Sequence, residues 1–590
     1  MSLYDYTAIL FYFAFIVGVG LVFRKLNRDS KDYFAGGFRV TWWLVGASAF
    51  ASNFSAWVFT GAAHMAYTFG TVIFVITITD ILGYVLGLAW FGPKLRQLRV
   101  VTAMLAVRRR FGTVSEQLYT WLIMVGSLVT ATVWLIAVSV ALASVFQIPQ
   151  LATIFLSGAT VCVMSLYGGR WAVVASDFIQ LVMLISVSLA VFFLTVNRLG
   201  GFEEFFAAIP ENLRNPVLSR DTQYDGFWIA GFILLSVLSR NNLTTASRYI
   251  SAKDSKHARW SAAIPILGYA IMPICWFTVP MVARSIAPNL ETQYSMLEIP
   301  GEASYIAVAI EVLPNGLLGL LVAGMIASTM SSMDAALNRN AGYFVKSVYV
   351  RWRRGRALDE GSLLRMGRIV TVVFAVLVVG LSVLIVEAGR LSLFDIYQQL
   401  NGRLTVPLAV PVFWGLFVKR VPDWGAWVSL LFGLLVSVAI FDGLHTEVGR
   451  YALGIVFNKS WSEYIVTHPV TCSYLVNVPL TSAVFLGTGF FFKKREEARC
   501  REVDAFFHDR DRPVDFEAEV GDDNTVFQAR SIGIMSIVYG GFVGLFLMIP
   551  NPTEGKLAIG GISLLMLSVG GVLLFYSKRR LKRSYQSARK

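Results

Sequence analysis

The chain is short of charge. Of its 590 residues only 15% are Asp, Glu, Lys or Arg, and 56% are hydrophobic. No soluble domain has that profile over this length, and a mean hydropathy of +0.62 points to a polytopic helical membrane protein. Cysteine is scarce as well. Cys162, Cys275, Cys472 and Cys500 are scattered, the first three in apolar stretches, which excludes a disulfide framework or a zinc site. The five histidines form no ligand-spaced cluster. With no nucleophile–base pairing and no metal-ligand set, an enzyme is not expected, nor is an organic cofactor. The N-terminal stretch MSLYDYTAILFYFAFIVGVGLVF lacks a basic leader and a small-residue cleavage site. It reads as a retained helix, not a signal peptide.

What the chain has is long apolar runs. Fifteen candidate spans lie at roughly 4–23, 41–69, 71–91, 117–144, 150–168, 171–196, 226–249, 261–284, 313–347, 366–387, 391–418, 424–441, 470–492, 531–549 and 557–577. With the N-terminus outside, 40 of the 51 Lys and Arg residues fall in inward-facing segments. That is the positive-inside bias, and it puts the C-terminus in the cytoplasm and the chain in the plasma or inner membrane. The net charge of +14 is therefore topological, and nucleic acid is not an expected partner. The partners are the lipid bilayer, a cation and a small solute; a monomer is compatible with the sequence, which does not set the oligomeric state. Segment 493–530 begins basic and ends acidic. It reads as a solvated cytoplasmic linker before two accessory helices.

The most informative run is Trp42 to Gly70. It is long enough to span a bilayer, yet Gly46, Ser48, Ser52, Asn53 and Ser55 crowd its first half. Such residues weaken a helix or offer its backbone other hydrogen bonds. A broken helix within a membrane must face protein or a watery cavity, where freed carbonyls can bind a cation and freed amides a solute. The alternative is a straight helix whose small residues pack against neighbours. Five spans later, 226–250 carries Ser236, Ser239, Arg240, Asn241, Asn242, Thr244, Thr245 and Ser247. Two interrupted segments at matching places point to two inverted five-helix repeats, about 41–196 and 226–418. The domains are then 1–40, an accessory helix and loop; 41–420, the transport core; and 421–590, accessory helices.

A third run, LLVAGMIASTMSSMDAALNRNAGYFVK, puts the oxygens of Ser328, Thr329, Ser331 and Ser332 within about one helical turn. Sodium is a hard cation that takes oxygen ligands, and neutral oxygens let it leave again. The proposed site joins the Ala51 and Phe54 carbonyls to the Ser328 carbonyl and the Ser331 and Ser332 hydroxyls. The alternative is that the serines back-bond to their own helix or join two helices.

These residues also carry a resemblance. Asp32 to Gly37 with Trp42 to Ser48, Ala51 to Trp57, Tyr167 to Arg170 followed by Ala172-Val173 and Asp177 to Gln180, Arg248 with Ala252-Lys253-Asp254, Met330-Ser331-Ser332 and Gly415 to Arg420 together resemble the sodium–solute symporter family. That family includes sodium–glucose cotransporters, the sodium–proline symporter and sialic acid symporters. The resemblance implies a LeuT-like 5+5 inverted-repeat core, preceded by one helix and followed by about four, in an all-α polytopic membrane protein. It implies the sodium site just named and places Asp177 near the ion's inward exit. The proline branch has aspartate where Asn53 stands. At the sugar-gripping positions Val58, Thr77 and Trp276 lack the expected amide, carboxylate and amine, while Asn242 and Gln398 keep theirs, and Asp80 replaces a small polar residue.

Charge at depth suggests what the solute carries. Asp80, Arg240 and Arg403 fall inside spans, where ionisable residues are functional by default. Arg240 could hold a carboxylate bidentately and Asp80 an amine; the alternative is a standing ion pair of Asp80 with Arg240 or Arg403. Trp57 and Trp276 could stack on a ring or simply pack, and Ser55 and Asn53 line the first break. The expected function is sodium-coupled symport of a small polar solute by alternating access, with a carboxylate-bearing solute favoured. The alternatives are a neutral sugar or polyol carrier, or a sensor that uses the fold without flux.

Overall fold

A computed structural model of the chain describes residues 1–24, 36–52, 55–165, 170–214, 224–353, 359–389, 391–456, 458–493, 496–521 and 523–588. Among them there is no strand beyond an isolated parallel bridge between Val40 and Ala252. Ten helices among the described residues are long and apolar enough to cross a membrane. Four shorter apolar helices, Leu3–Val19, Trp42–Ala51, Gln150–Cys162 and Gly226–Arg240, stand beside them. The stretch expected over 391–418 is built in three pieces, Leu393–Leu400, a π turn Asn401–Thr405, and Val406–Trp414.

Both interrupted segments are interrupted. The first runs as a helix over Trp42–Ala51 and closes at Ser52. It restarts at Ala56, where the Ser55 hydroxyl caps the Trp57 N–H at 3.3 Å. Asn53 and Phe54 lie outside the described residues. A second jog at Thr60 (φ −125°, ψ −83°) precedes Gly61–Phe69. The other segment is helical over Gly226–Arg240, leaves helical geometry at Asn241 and Asn242, and resumes through Leu243–Thr245 into Ala246–Tyr249. Asn242 causes the break. Its side chain accepts from the Thr244 N–H at 2.9 Å and its backbone N–H is taken by the Thr245 hydroxyl at 3.2 Å, a local alternative to the helical ladder.

The Trp42–Ala51 piece packs on the helix Arg170–Leu199, which packs in turn on Leu317–Tyr343; Gly226–Arg240 packs on Phe74–Leu86. Gly46 is needed for a close approach. A Cβ there would lie 2.4 Å from the Ser261 carbonyl oxygen. At one end the two broken segments are tied together. The Val40 N–H donates to Ser251 O and the Lys253 N–H to Val40 O, both at 3.0 Å. This end also carries Arg96, Arg99, Arg109 and Arg110, and is called the basic end below.

Three regions differ from their sequence reading. Much of the loop expected over 92–116 is helical, in Gly92–Gln97 and in the first turns of Ala103–Phe146, which bends at Gly112 (φ 76°). The N-terminal helix is more than an accessory. Its Asp5 carboxylate accepts the Gly316 and Gly319 N–H groups at 2.8 and 3.0 Å and so caps the start of Leu317–Tyr343. The described residues of segment 493–530 are not a solvated linker. They form the helix Glu497–Asp511 and a short turn Phe516–Glu519, and bury Val503, Phe506, Val514 and Phe516. Their charges, which read as solvation, are used in pairs with the basic end: Arg109–Asp509 at 2.6 Å, Lys94–Asp511 at 2.9 Å and Arg499–Asp423 at 2.7 Å.

Candidate functional site

The open end of Trp42–Ala51 meets the middle of Leu317–Tyr343. The Ser332 hydroxyl donates to the Ser52 carbonyl at 3.3 Å. The Ala56 N–H, across the break, donates to the Thr329 hydroxyl at 3.0 Å. Hydroxyls one turn apart on one helix thus face both sides of the interruption. Ala51 and Ser328 are buried beside them, the Ser328 hydroxyl bonded back to Met325 O at 3.2 Å. Phe54 falls outside the described residues. From the helix Arg170–Leu199 comes Asp177, also buried, whose carboxylate accepts from the Ser48 hydroxyl at 2.5 Å and from the Ser331 hydroxyl. Three elements therefore bring carbonyl, hydroxyl and carboxylate oxygens together at a helix break. These are the oxygen types that a hard monovalent cation takes as ligands. Ser48 and Thr329 belong to the same hydroxyl runs that drew attention to the region, but nothing in the sequence marked which serines and threonines would cross between helices.

Beside this cluster lies a cavity of about 460 Å³. Ser52, Ser55, Trp57, Thr77, Asp80, Arg240 and Trp276 line it, and its wall continues to Thr102, Arg339 and Tyr343 near the basic end. A smaller chamber of about 190 Å³ shares Thr130, Trp134, Ser239 and Arg339 with it and is bordered by Asn242. Trp57 and Trp276 are on the wall and also in aromatic packing, Trp57 with Tyr397 (centroids 5.2 Å apart) and Trp276 with Phe50 (6.1 Å). The Thr77 hydroxyl is bonded back to Phe74 O at 2.9 Å.

Asp80 and Arg240 meet. Arg240 Nε lies 2.9 Å from Asp80 Oδ1 and Nη2 2.6 Å from Oδ2, a bidentate pair on the cavity wall. Arg403 is elsewhere. It pairs with Asp442 at 2.7 Å, more than a third exposed, so it is not the partner of Asp80. The π turn Asn401–Thr405 is what separates them, placing Asn401 and Thr405 on the cavity wall while Arg403 reaches Asp442. Two other residues are held away from the cavity. The Asn242 amide donates to Leu238 O at 2.7 Å, and Gln398 accepts from the Trp228 indole at 2.8 Å. Tyr269, Trp134 and Asn401 line the cavity without any signal in the sequence.

Residues 33–433 match the sequence profile of the sodium:solute symporter family. The chain belongs to that family. Relatives include Sodium/glucose cotransporter 4 of Mus musculus, 27% identical over 478 residues covering 74% of this chain and 68% of that one. Sodium/myo-inositol cotransporter 2 of Oryctolagus cuniculus is 27% identical over 485 residues, 75% of this chain and 71% of that one. Among solved structures, the substrate-bound outward-open state of a Na+-coupled sialic acid symporter has a TM-score of 0.63 at 21% identity, covering 81% of this chain and 98% of that one. A nucleobase-cation-symport-1 family transporter has a TM-score of 0.50 at 14% identity, covering 81% and 99%. These likenesses show the LeuT-like transporter fold. Membership of the sodium:solute symporter family makes the chain a multi-pass membrane transporter coupled to Na+, and not an enzyme.

Proposed function

We propose that this symporter imports a small polyhydroxylated solute together with Na+ by alternating access. One observation carries the reading: the break after Ala51 faces Ser331, Ser332 and Asp177 at the edge of a cavity large enough for a monosaccharide-sized solute. Sodium is held by the carbonyls of Ala51, Phe54 and Ser328 and the hydroxyls of Ser331 and Ser332, and leaves past Asp177. Its binding ties the first broken helix to Leu317–Tyr343 and completes the solute pocket at Ser55, Trp57, Thr77, Asp80, Arg240 and Trp276. Asn242 and Gln398 complete that pocket in states of the cycle in which their side chains turn to it, and Asn53, at the first break, is a further proposed member. The N-terminus is outside and the basic end inside, so each cation entering gains about 2.3 kcal/mol per 100 mV of inside-negative potential.

In the sequence, Arg240 and the loss of the sugar-gripping side chains at Val58, Thr77 and Trp276 favour a carboxylate-bearing solute. Arg240 is already bidentate to Asp80, which removes the first of these reasons. Relatives named for glucose and myo-inositol support a polyhydroxylated solute instead. The deciding experiment is uptake of radiolabelled glucose and myo-inositol into proteoliposomes with Na+ or choline outside. Na+-driven accumulation of either, reduced in Ser332→Ala, is the expected result. Na+-dependent binding without flux would make the chain a sensor, and accumulation indifferent to choline would end the symport reading.

A further inference from the structure

Asp80 and Arg240 form a constructed pair. Asp80 stands mid-way along Phe74–Leu86 and Arg240 is the last helical residue before the second break. Gly83 leaves room for the arginine stem, since a Cβ there would lie 2.9 Å from Arg240 Cγ. The Tyr84 ring lies 5.6 Å from the guanidinium, and a second bond, Ser236 to Thr79 at 3.1 Å, joins the same two helices a turn away. Both side chains are nearly buried, at 12% and 8% exposure, yet both are on the cavity wall. The third charged residue on that wall, Arg339, is toward the basic end and reaches Ser127 at 3.5 Å.

We propose that the Asp80–Arg240 pair is a charge filter, which admits solutes of zero net charge to the site and refuses monoanions and monocations. It rests on the reading of this cavity as the solute site. A neutral solute can bond to the outer edges of the pair while the pair stays closed. A monoanion placed against the pair, away from Arg339, must either sit unpaired there or take the guanidinium from Asp80, and then Asp80 is left unpaired. A monocation meets the same choice with the roles reversed. Either way one buried charge has no partner, which is the costly arrangement. Specificity here comes from what the site would leave unsatisfied with the wrong solute. Each half of the pair masks the other, so removing one should convert the filter into a receptor for the opposite charge.

The test uses the purified full-length protein in Na+, with ligand-induced thermal shift and competition read for three sugars of one ring size: glucose, glucuronate and, at mildly acid pH, protonated glucosamine. In the wild type the two charged sugars should bind at least roughly tenfold more weakly than the neutral one. Asp80→Asn should gain glucuronate, and Arg240→Gln should gain glucosamine, each by about tenfold or more over wild type and without gaining the other. A wild type that prefers either charged sugar overturns the filter. So does Asp80→Asn with no gain for the anion, or a set of proteins in which no sugar of any charge binds. If a single variant does not fold, the wild-type ranking decides, supported by Asp80→Asn/Arg240→Gln, which replaces the pair by neutral partners and should gain neither charged sugar. Failure of the transport reading looks different. It appears as identical behaviour in Na+ and choline, with the charge ranking of the variants intact.

Discussion

The Gln528 side chain holds Thr41 from the far end of the chain. Its carbonyl oxygen accepts the Thr41 N–H at 3.2 Å and the Thr41 hydroxyl at 3.0 Å, while its amide donates to Arg39 O at 2.9 Å. Thr41 is the residue from which the first broken helix starts. Five residues earlier, Asp523 holds Lys253 at 2.6 Å, just past the second broken helix. The accessory region therefore grips both interrupted helices where they are already bridged to each other through Val40. Gln528 is fully buried, so Gln528→Ala takes away the acceptor of the Thr41 N–H and hydroxyl and the donor to Arg39 O. The expected loss is about 1–3 kcal/mol, seen as a lower melting temperature of the detergent-solubilised protein. A melting temperature equal to wild type would mean that water replaces the amide at no cost.

A second grip runs through Arg99. Its guanidinium is bidentate to Glu519 at 2.8 and 2.7 Å and also donates to the carbonyls of Asp509, Arg512 and Pro513. One side chain thus fixes the turn that follows Glu497–Asp511. Arg99→Ala should free this segment, and limited proteolysis should then cut between residues 496 and 521 well before wild type is cut there. Because the ion pair is partly exposed, the effect on global melting should be small, under about 1 kcal/mol. Equal cleavage rates would show that the buried Phe506 and Phe516 hold the segment without the arginine.

How much of this was legible in the chain follows from the range of the forces involved. The two helix breaks were, because Ser, Asn and Thr act on their own backbone a few residues away. The hydroxyl run at Ser328 to Ser332 was legible for the same reason, since one helical turn is enough to gather it. The partner of Asp80 was not. Arg240 and Arg403 lie at comparable depth in sequence, and only packing of Gly226–Arg240 on Phe74–Leu86 decides between them. The docking of segment 497–519 is hidden in the sequence because its charges outnumber its apolar residues. Its four or so inward side chains count for more than composition once a basic surface is there to pair the rest.

At the ion's proposed inward exit, beside its site, Asp177 is the only carboxylate among the described residues that accepts from both Ser48 and Ser331. Asp177→Asn keeps the shape but turns one acceptor into a donor and removes the charge. The apparent affinity for Na+ should fall roughly tenfold or more in Na+-driven uptake, with maximal rate and solute affinity at saturating Na+ less affected. A Na+ dependence equal to wild type would place the ion elsewhere.

Glu302 makes a prediction in pH. It sits in the 3-10 turn Pro300–Ala303, between the spanning helices Ser255–Met281 and Leu317–Trp352, buried, and accepts the Leu393 N–H at 3.0 Å, so it closes the start of Leu393–Leu400. Burial pushes its carboxyl up to about 7 from 4.5; the Leu393 N–H opposes the rise, and the Asp395 carboxylate adds to it. The unfolded chain holds the proton only below its ordinary value, whereas the fold holds it up to about 7. Stability is therefore fully present below about pH 4.5 and falls as pH rises through 7, by roughly 3 kcal/mol in total at 1.36 kcal/mol per unit. Glu302→Gln keeps an oxygen for Leu393 and cannot titrate. Between pH 5 and 8 its melting temperature should fall less steeply than that of wild type, and the two curves should diverge most at the alkaline end, where the wild type carries a buried charge. Parallel curves across that window would show that the wild-type carboxyl titrates as if in water, with the turn open around it.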